Sequence, residues 1–160
     1  LDGGIVNTAR HPHKSPSTAE LAVGSATHGH AELAADGRAM GRFVYPHHRQ
    51  GLMQSIFGGR YDHHFLGLDP EKIHRVLDIG AGAAEFACWI ALRFPLAWVS
   101  CFEPDEALRI LLQTNAPPGM RVLSDLPEET GGYDVVRNAT DLGVRVRGRV
   151  LTIYDYAERS

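Results

Sequence analysis

Arg75-Val76-Leu77-Asp78-Ile79-Gly80-Ala81-Gly82-Ala83-Ala84-Glu85-Phe86 is the stretch on which the fold turns. An apolar strand runs through one acid, Asp78, into a turn holding Gly80 and Gly82, and a helical pattern follows. Glycines there let the backbone come close to a ligand, because a Cβ would block both the turn and the contact. A second acid, Glu103, closes the next apolar run, Trp98-Val99-Ser100-Cys101-Phe102. In a doubly wound α/β sheet that spacing sets a carboxylate where a ribose lies. The two segments together read as a nucleoside-cofactor site.

Working outward, an α/β alternation is expected. Strand one covers 75–79, continuous and apolar as a strand buried on both faces should be. A helix over 83–94 carries Phe86, Ile90 and Phe94 on one stripe and stops at Pro95. Strand two covers 97–103. The helix over 105–114 opens after Pro104, with Asp105 and Glu106 in the first turn, where acids suit the dipole. Strands three and four fall at 120–124 and 133–137. Too few residues then remain before Arg149-Val150-Leu151-Thr152-Ile153-Tyr154 for an ample helical crossover. Val144, Val146, Val150, Thr152 and Tyr154 share one parity, which predicts a long strand or a hairpin bent near Gly148. The expected fold is a Rossmann-like, doubly wound α/β sheet, short at about five strands.

Towards the N-terminus, Gln50 to Phe57 has helical apolar spacing and ends at Gly58-Gly59. Residues 1–40, rich in Gly, Ser, Thr, Ala, Pro and His, read as a loosely structured extension, and 41–160 as the domain proper. Two short helices are expected in the extension. One covers Ser17 to Val23, where Ser17 and Glu20 form a capping-box pattern; the other covers Ala31 to Ala35. The chain begins with Leu1 rather than Met, as a trimmed product would.

Bulk properties narrow the function. The 160 residues are 44% hydrophobic and 22% charged, with a net charge of −3. That balance gives no basic face for nucleic acid or a membrane surface. No run is long enough to span a bilayer, and residues 1–20 lack a secretory apolar segment. Cys88 and Cys101 read as reduced core thiols, so a cytoplasmic address is expected.

Three ligand classes use a strand, a glycine turn and a helix N-terminus. A phosphate-binding loop needs Lys-Ser or Lys-Thr after its second glycine, which is absent here. A dinucleotide fingerprint needs a third glycine where this chain has Glu85, whose carboxylate would repel a pyrophosphate. A sulfonium nucleoside such as S-adenosylmethionine carries no phosphate. Asp78 can then face its ammonium, the loop amides its amino-acid portion, and Glu103 its ribose hydroxyls.

At these residues the chain resembles the class I S-adenosylmethionine-dependent methyltransferases. Their acid-x-Gly-x-Gly-x-Gly motif is matched by Asp78-Ile79-Gly80-Ala81-Gly82-Ala83-Ala84, with Ala84 in place of the third glycine. Their acid ending strand two is matched by Glu103 in Cys101-Phe102-Glu103-Pro104-Asp105. It looks closer still to the FkbM branch, typically O-methyltransferases of sugars and natural products. The segments that carry this are Phe57-Gly58-Gly59-Arg60-Tyr61-Asp62, Val76-Leu77-Asp78-Ile79-Gly80-Ala81, Glu85-Phe86, Arg93-Phe94-Pro95 and Phe102-Glu103-Pro104-Asp105. That branch usually has Asn at position 82, Gly at 84, and an acid-rich segment after strand four, where this chain has Asn138-Ala139-Thr140-Asp141-Leu142-Gly143. The resemblance covers residues 56–137, and the chain ends before the last two strands that usually complete the fold.

The resemblance implies a cofactor-binding set of Asp78, Gly80, Ala81, Gly82, Glu103, Pro104, Ser124 and Asp125. Within it, Ser124 and Asp125 would meet the adenine amino group, while Asp134 and Asn138 would lie towards substrate. The nine histidines show no i, i+4 pairing with an acid, so no metal site is expected. His47, His48, His63 and His64 are general-base candidates, with no catalytic residue assigned among them. Arg145, Arg147 and Arg149 read as a solvated strand face. The expected activity is methyl transfer from S-adenosyl-L-methionine to a hydroxyl of a small-molecule acceptor, with no nucleic-acid or membrane partner and a homodimer as one state of assembly. The rival readings are a catalytically inactive module of the same fold and an NAD-dependent oxidoreductase.

Overall fold

The computed structural model describes residues 19–22, 28–35 and 38–155. Strands β1 (Ala19–Ala22), β2 (His28–Ala35) and β3 (Arg38–Pro46) form an antiparallel sheet in the order β1-β2-β3. Helix α1 (Gln50–Phe57) follows, then β4 (Arg75–Ile79), α2 (Glu85–Arg93), β5 (Trp98–Phe102), α3 (Glu106–Asn115) and β6 (Met120–Val122). β7 (Val135–Asn138) and β8 (Leu151–Tyr154) complete a five-stranded parallel sheet in the order β6-β5-β4-β7-β8. The expected α/β alternation and strand count are therefore present. The chain winds outward from β4 to one edge through β5 and β6, then returns to β4's other side with β7. That reversal opens a crevice between the C-terminal ends of β4 and β7, the place where such sheets take ligands.

Both helices expected in the N-terminal extension are corrected. The described part of the first is β1 and the second lies within β2; Ser17 and Val23 fall outside the described residues. The reason is a period of two: Gly29, Ala31 and Leu33 are buried while Glu32 is exposed. Pairing of β2 with β3 over His28↔Pro46 to Ala35↔Arg38 outweighs a weak helical preference. This pairing runs across position 40.

The sheet of β2 and β3 supplies Ala31, Leu33, Phe43 and Tyr45 to the main core, where they join α1 and α2. Helix α2 is consequently buried almost all round, from Glu85 to Ala91, rather than along the single Phe86-Ile90-Phe94 stripe. One side meets the parallel sheet and the other meets α1. Asn115 at the end of α3 locks the layers together. Its amide nitrogen donates to the carbonyls of Val44 and Ala83, both at 2.7 Å, and its oxygen accepts from the Val44 N–H at 2.8 Å.

The opposite face of the parallel sheet carries Leu77, Ile79 and Val136, packed against Tyr133 and Val146. Leu123, Leu126 and Val144, from the connections around β7, close over them in place of helices. At the start of β5 this cover fails, so Trp98 is 69% exposed although it sits in the same strand as buried Cys101. The long strand or hairpin expected over 144–154 is also corrected. Only Leu151–Tyr154 is a strand, and it runs parallel to β7. The chain does bend at Gly148, whose N–H donates to Thr152 Oγ1 at 3.0 Å. A Cβ on Gly148 would lie 2.1 Å from the Leu151 carbonyl oxygen and 2.8 Å from that of Asp134, so the chain here packs too closely for a side chain. No described helix is long and apolar enough to cross a membrane.

Asn115→Ala leaves three backbone groups, two half-buried on Val44 and one buried on Ala83, without these partners. It is expected to cost about 2–4 kcal/mol, read as a lower urea midpoint at unchanged slope.

Candidate functional site

The turn after β4 is built by three residues with positive φ: Gly80 at 79°, Gly82 at 61° and Ala84 at 81°. A Cβ on Gly80 would stand 2.8 Å from Thr140 Cγ2, and one on Gly82 would stand 2.2 Å from Arg49 Nη2. Both glycines are thus fixed by close approach as well as by backbone angle. Ala84 takes the left-handed cap of α2 that a glycine would fill without strain.

The amides of this turn already have partners within the chain. The N–H groups of Gly80 and Ala81 both donate to the Phe102 carbonyl, at 2.8 and 3.1 Å. Gly82 N–H donates to Glu103 Oε2 at 2.7 Å, and Ala83 N–H to Glu85 Oε2 at 2.9 Å. Glu103 Oε1 accepts from Asp105 N–H at 2.9 Å, so this one carboxylate joins the glycine turn to the start of α3. Burial pushes the Glu103 carboxyl above its ordinary range, and the Asp105 and Gly82 amides and the charge of Arg49 offset part of that rise.

A cleft of about 390 Å³ opens at these strand ends, lined by Arg49, Gly80, Gly82, Glu103, Pro104, Asp105, Leu108, Ala139 and Thr140. Its walls come from the ends of β4, β5 and β7, from α3 and from the turn before α1. Of the residues expected at a cofactor, Gly80, Gly82, Glu103 and Pro104 stand in its wall. Ala81 is buried beneath the turn. Ser124 and Asp125 lie beyond β6, exposed and outside the lining, with the Ser124 hydroxyl donating to Asp125 Oδ2 at 3.0 Å. Neither His47, His48, His63 nor His64 lines the cleft. Burial lowers the pKa of His64, and the neighbouring His63 adds to that, against Asp155.

Asp78 is placed differently from the reading that faced it to a ligand. It is fully buried behind the turn, and Arg137 Nη1 donates to its Oδ1 at 2.7 Å. The two residues sit opposite each other in the β4–β7 register. Arg137 also donates from Nε to the Tyr61 hydroxyl at 2.9 Å and lies over the Phe86 ring at 5.2 Å. The Tyr61 hydroxyl in turn donates to Asp155, which also accepts from Arg60 Nη2 at 2.8 Å. Asp62 accepts from Arg93 Nη2 at 2.7 Å. Residues 60–62 thus brace the sheet and α2 from outside.

Asp134 belongs to the other end of the sheet, which removes it from the substrate side. Its Oδ2 accepts from the N–H groups of His74 and Arg75, both at 2.9 Å, ahead of β4, and its Oδ1 pairs with Arg149. Arg149 is therefore an ion-pair partner rather than only a solvated strand residue. Asn138 is at the cleft end, where its Oδ1 accepts from both the N–H and the hydroxyl of Thr140, at 2.9 and 2.7 Å. Arg49, Arg137 and Thr140 escaped sequence reading. Arg137 had a visible signal, a cation inside an apolar strand with an acid at the same depth of the neighbouring one. Arg49 had none, because it arrives from outside the α/β repeat.

No family model matches the chain, nor does any curated protein. Among solved structures it is similar to a probable spermidine synthase from Corynebacterium glutamicum ATCC 13032, at 20% identity and a TM-score of 0.47, covering 80% of this chain and 50% of that one. It is also similar to the S-adenosylmethionine-dependent methyltransferase SibL in its apo form, at 24% identity and a TM-score of 0.44, covering 59% of this chain and 29% of that one. For the plantazolicin methyltransferase BpumL in complex with SAH the values are 18% and 0.37, covering 54% and 44%. The chain spans half or less of the length of each of these three proteins.

Removing one member of a buried ion pair strands the other. Arg137→Met is expected to cost about 3–5 kcal/mol by urea unfolding, and the double variant Asp78→Leu, Arg137→Met to recover part of it. Two other carboxylates contribute to the acid limb of stability. Burial alone would raise Asp134 and Asp155, but backbone amides and Arg149 in one case, and Tyr61, Arg137 and Arg60 in the other, hold both below the ordinary 3.8. Their folded pKa values lie under the unfolded ones, so their contribution is complete above pH 3.8 and is lost as the pH falls through the folded values. Asp134→Asn is expected to flatten the stability–pH curve below pH 3.8.

Proposed function

We propose that the cleft binds S-adenosylmethionine and that the protein moves its methyl group to a hydroxyl oxygen of a small-molecule acceptor, a sugar among the candidates. The observation that carries this reading is Glu103: a carboxylate 5% exposed, in the wall of a cleft at the reversal point of the sheet. Each of its oxygens accepts one backbone N–H, and a carboxylate offers about four lone-pair sites. A ribose diol supplies the donors that complete them. The cleft volume falls within the range of about 300–1,000 Å³ usual for small-molecule sites.

The same geometry weighs against a dinucleotide. Loop amides that would cradle a pyrophosphate donate instead to Phe102, Glu103 and Glu85. The oxidoreductase reading is set aside on this ground.

When bound, the cofactor supplies an electrophilic methyl on a positive sulfur. The residues of this chain then have positional work. Glu103 would hold the ribose edge, and Pro104 and Leu108 would give an apolar wall beside it. Ala139 and Thr140 close the end nearest β7, which faces the acceptor. The bound group would supply a methyl whose bond to sulfur breaks as the bond to the acceptor oxygen forms, with the hydroxyl proton passing to solvent. The main contribution is alignment of the acceptor with the S–CH₃ bond.

Kinship with the FkbM branch is part of this proposal, supported by the joint role of its matching segments. Arg60, Tyr61 and Asp62 from one of them reach Asp155 and, in Arg93, another. So is a cytoplasmic setting, which suits the two buried free thiols, Cys88 and Cys101. A second reading, a module that binds the cofactor without turnover, is favoured by Asn138. Its Oδ1 is engaged by Thr140 at the position where the family faces substrate.

Calorimetric titration is expected to show binding of S-adenosylmethionine and S-adenosylhomocysteine and none of NAD. Glu103→Ala is expected to weaken both by about 10–100-fold. No binding of either at millimolar concentration sinks the proposal. Binding without methyl release to any of a panel of sugars and phenols selects the second reading.

A further inference from the structure

The irregular cover of the parallel sheet gives out where β5 begins. Residues 96–99 alternate outward and inward: Ala97 and Val99 are buried, while Leu96 is 76% and Trp98 69% exposed. Trp98 shares its side of β5 with Phe102, which packs on the face that has no helix. Leu96 and Trp98 leave on the order of 300 Å² of side chain in water, the size at which an apolar patch on a protein surface is often functional.

The indole is seated on backbone. Gly119, at the entry to β6, lies against it, since a Cβ there would stand 4.0 Å from Trp98 Cε3. Arg75 is the partner of Trp98 in the β4–β5 register, and its guanidinium lies over the Tyr133 ring at 5.1 Å. Arg121, opposite Ser100, stands one step further along the same side of the sheet. Both arginines are exposed, and among the described residues neither is in a salt bridge. Glu128 and Glu129, exposed in the β6–β7 connection that closes over this face, are in none either. One face of the molecule thus carries an exposed apolar centre together with uncompensated charges of both signs.

We propose that this face joins two copies of the chain about a two-fold axis. Trp98 and Leu96 of each copy form the centre, and Arg75 and Arg121 of one copy meet Glu128 and Glu129 of the other. A contact of this symmetry needs a patch complementary to itself, and a face holding both signs around an apolar centre meets that condition. Trp and Arg are the side chains that interface centres favour, while Glu belongs to the rim. The area that Trp98 and Leu96 expose is about a third of the ~800 Å² per partner of a standard interface, so the flanking residues need only complete it. A single-stranded nucleic acid would also stack on an indole, but it would meet Glu128 and Glu129 on a chain whose net charge is −3. Glu103 lies past the other end of β5, about 16 Å from Trp98. Both clefts of the dimer therefore stay open, and the contact is independent of what they bind.

The test is sedimentation of the full chain over a range of concentrations, with tryptophan emission read on the same samples. The chain has two tryptophans and Trp89 is fully buried, so a shift with concentration reports Trp98. The expected result is a monomer–dimer equilibrium whose emission moves to the blue as dimer forms. Trp98→Ser is expected to weaken the dimer about 30-fold or more while the urea midpoint stays near that of the wild type. Arg121→Glu is expected to weaken it about tenfold, and Glu128→Arg added to that variant to restore most of the loss. A chain that stays monomeric at millimolar concentration overturns the inference, as does a dimer indifferent to Trp98→Ser, whose contact then lies on another face. A dimer lost in Trp98→Ser but unmoved by Arg121→Glu overturns the charge pairing. A monomer whose Trp98 emission responds instead to a single-stranded oligonucleotide or to polyglutamate assigns the patch to that class of partner and overturns the dimer.

Discussion

A fully buried carboxylate on the central strand needs a cation, and the parallel sheet is arranged around meeting that demand. Asp78 and Arg137 face each other across β4 and β7 at matched register, so the pair fixes which residues of the two strands align. A slip of one position would turn Arg137 to the other face and leave Asp78 alone in the core, at a cost of several kcal/mol. The guanidinium then draws in Tyr61, and Tyr61 draws in Asp155 at the end of β8. One charge pair thereby organises the strand order on the β7 side, the seating of the segment before β4, and the floor under the glycine turn.

The other side of the core depends on cover rather than charge. Helix α2 has no polar face to show to water, so it needs material outside it, and α1 with the antiparallel sheet provides that. Asn115 makes the arrangement specific, because its three hydrogen bonds link β3 to the residue just before the left-handed cap of α2. Loss of the N-terminal sheet would therefore be felt at the cleft. The second face of the parallel sheet has no comparable layer, and irregular connections suffice because only a few side chains there need covering.

The parallel sheet was legible because its signals are local. β4 and α1 are found at the residues that apolar spacing and glycine stops mark out, and α3 begins where Pro104 and Asp105 place it. The N-terminal strands were not legible. Ala, Glu and Leu carry helical preference, and pairing with β1 on one side and β3 on the other makes Ala31-Glu32-Leu33 a strand. In the site, Gly80, Gly82 and Glu103 could be named because turn chemistry and strand ends determine them. Asp78 was visible as an acid, but its role depended on a residue 59 positions later. Arg49 reaches the cleft only through the packing of α1, which periodicity cannot report.

The same pair has a consequence for assembly in time. β4 emerges from the ribosome long before β7, yet it cannot be buried as a charged strand until Arg137 is available. The contact that completes the cluster, Tyr61 with Asp155, spans 94 positions. Contacts so distant in the chain make folding slow relative to local helix formation. A nascent chain stopped short of β7 would hold the glycine turn, Glu103 and α3 yet lack the counter-charge beneath them. The cleft is thus among the last parts of the molecule to become firm, although most of its residues are synthesised early.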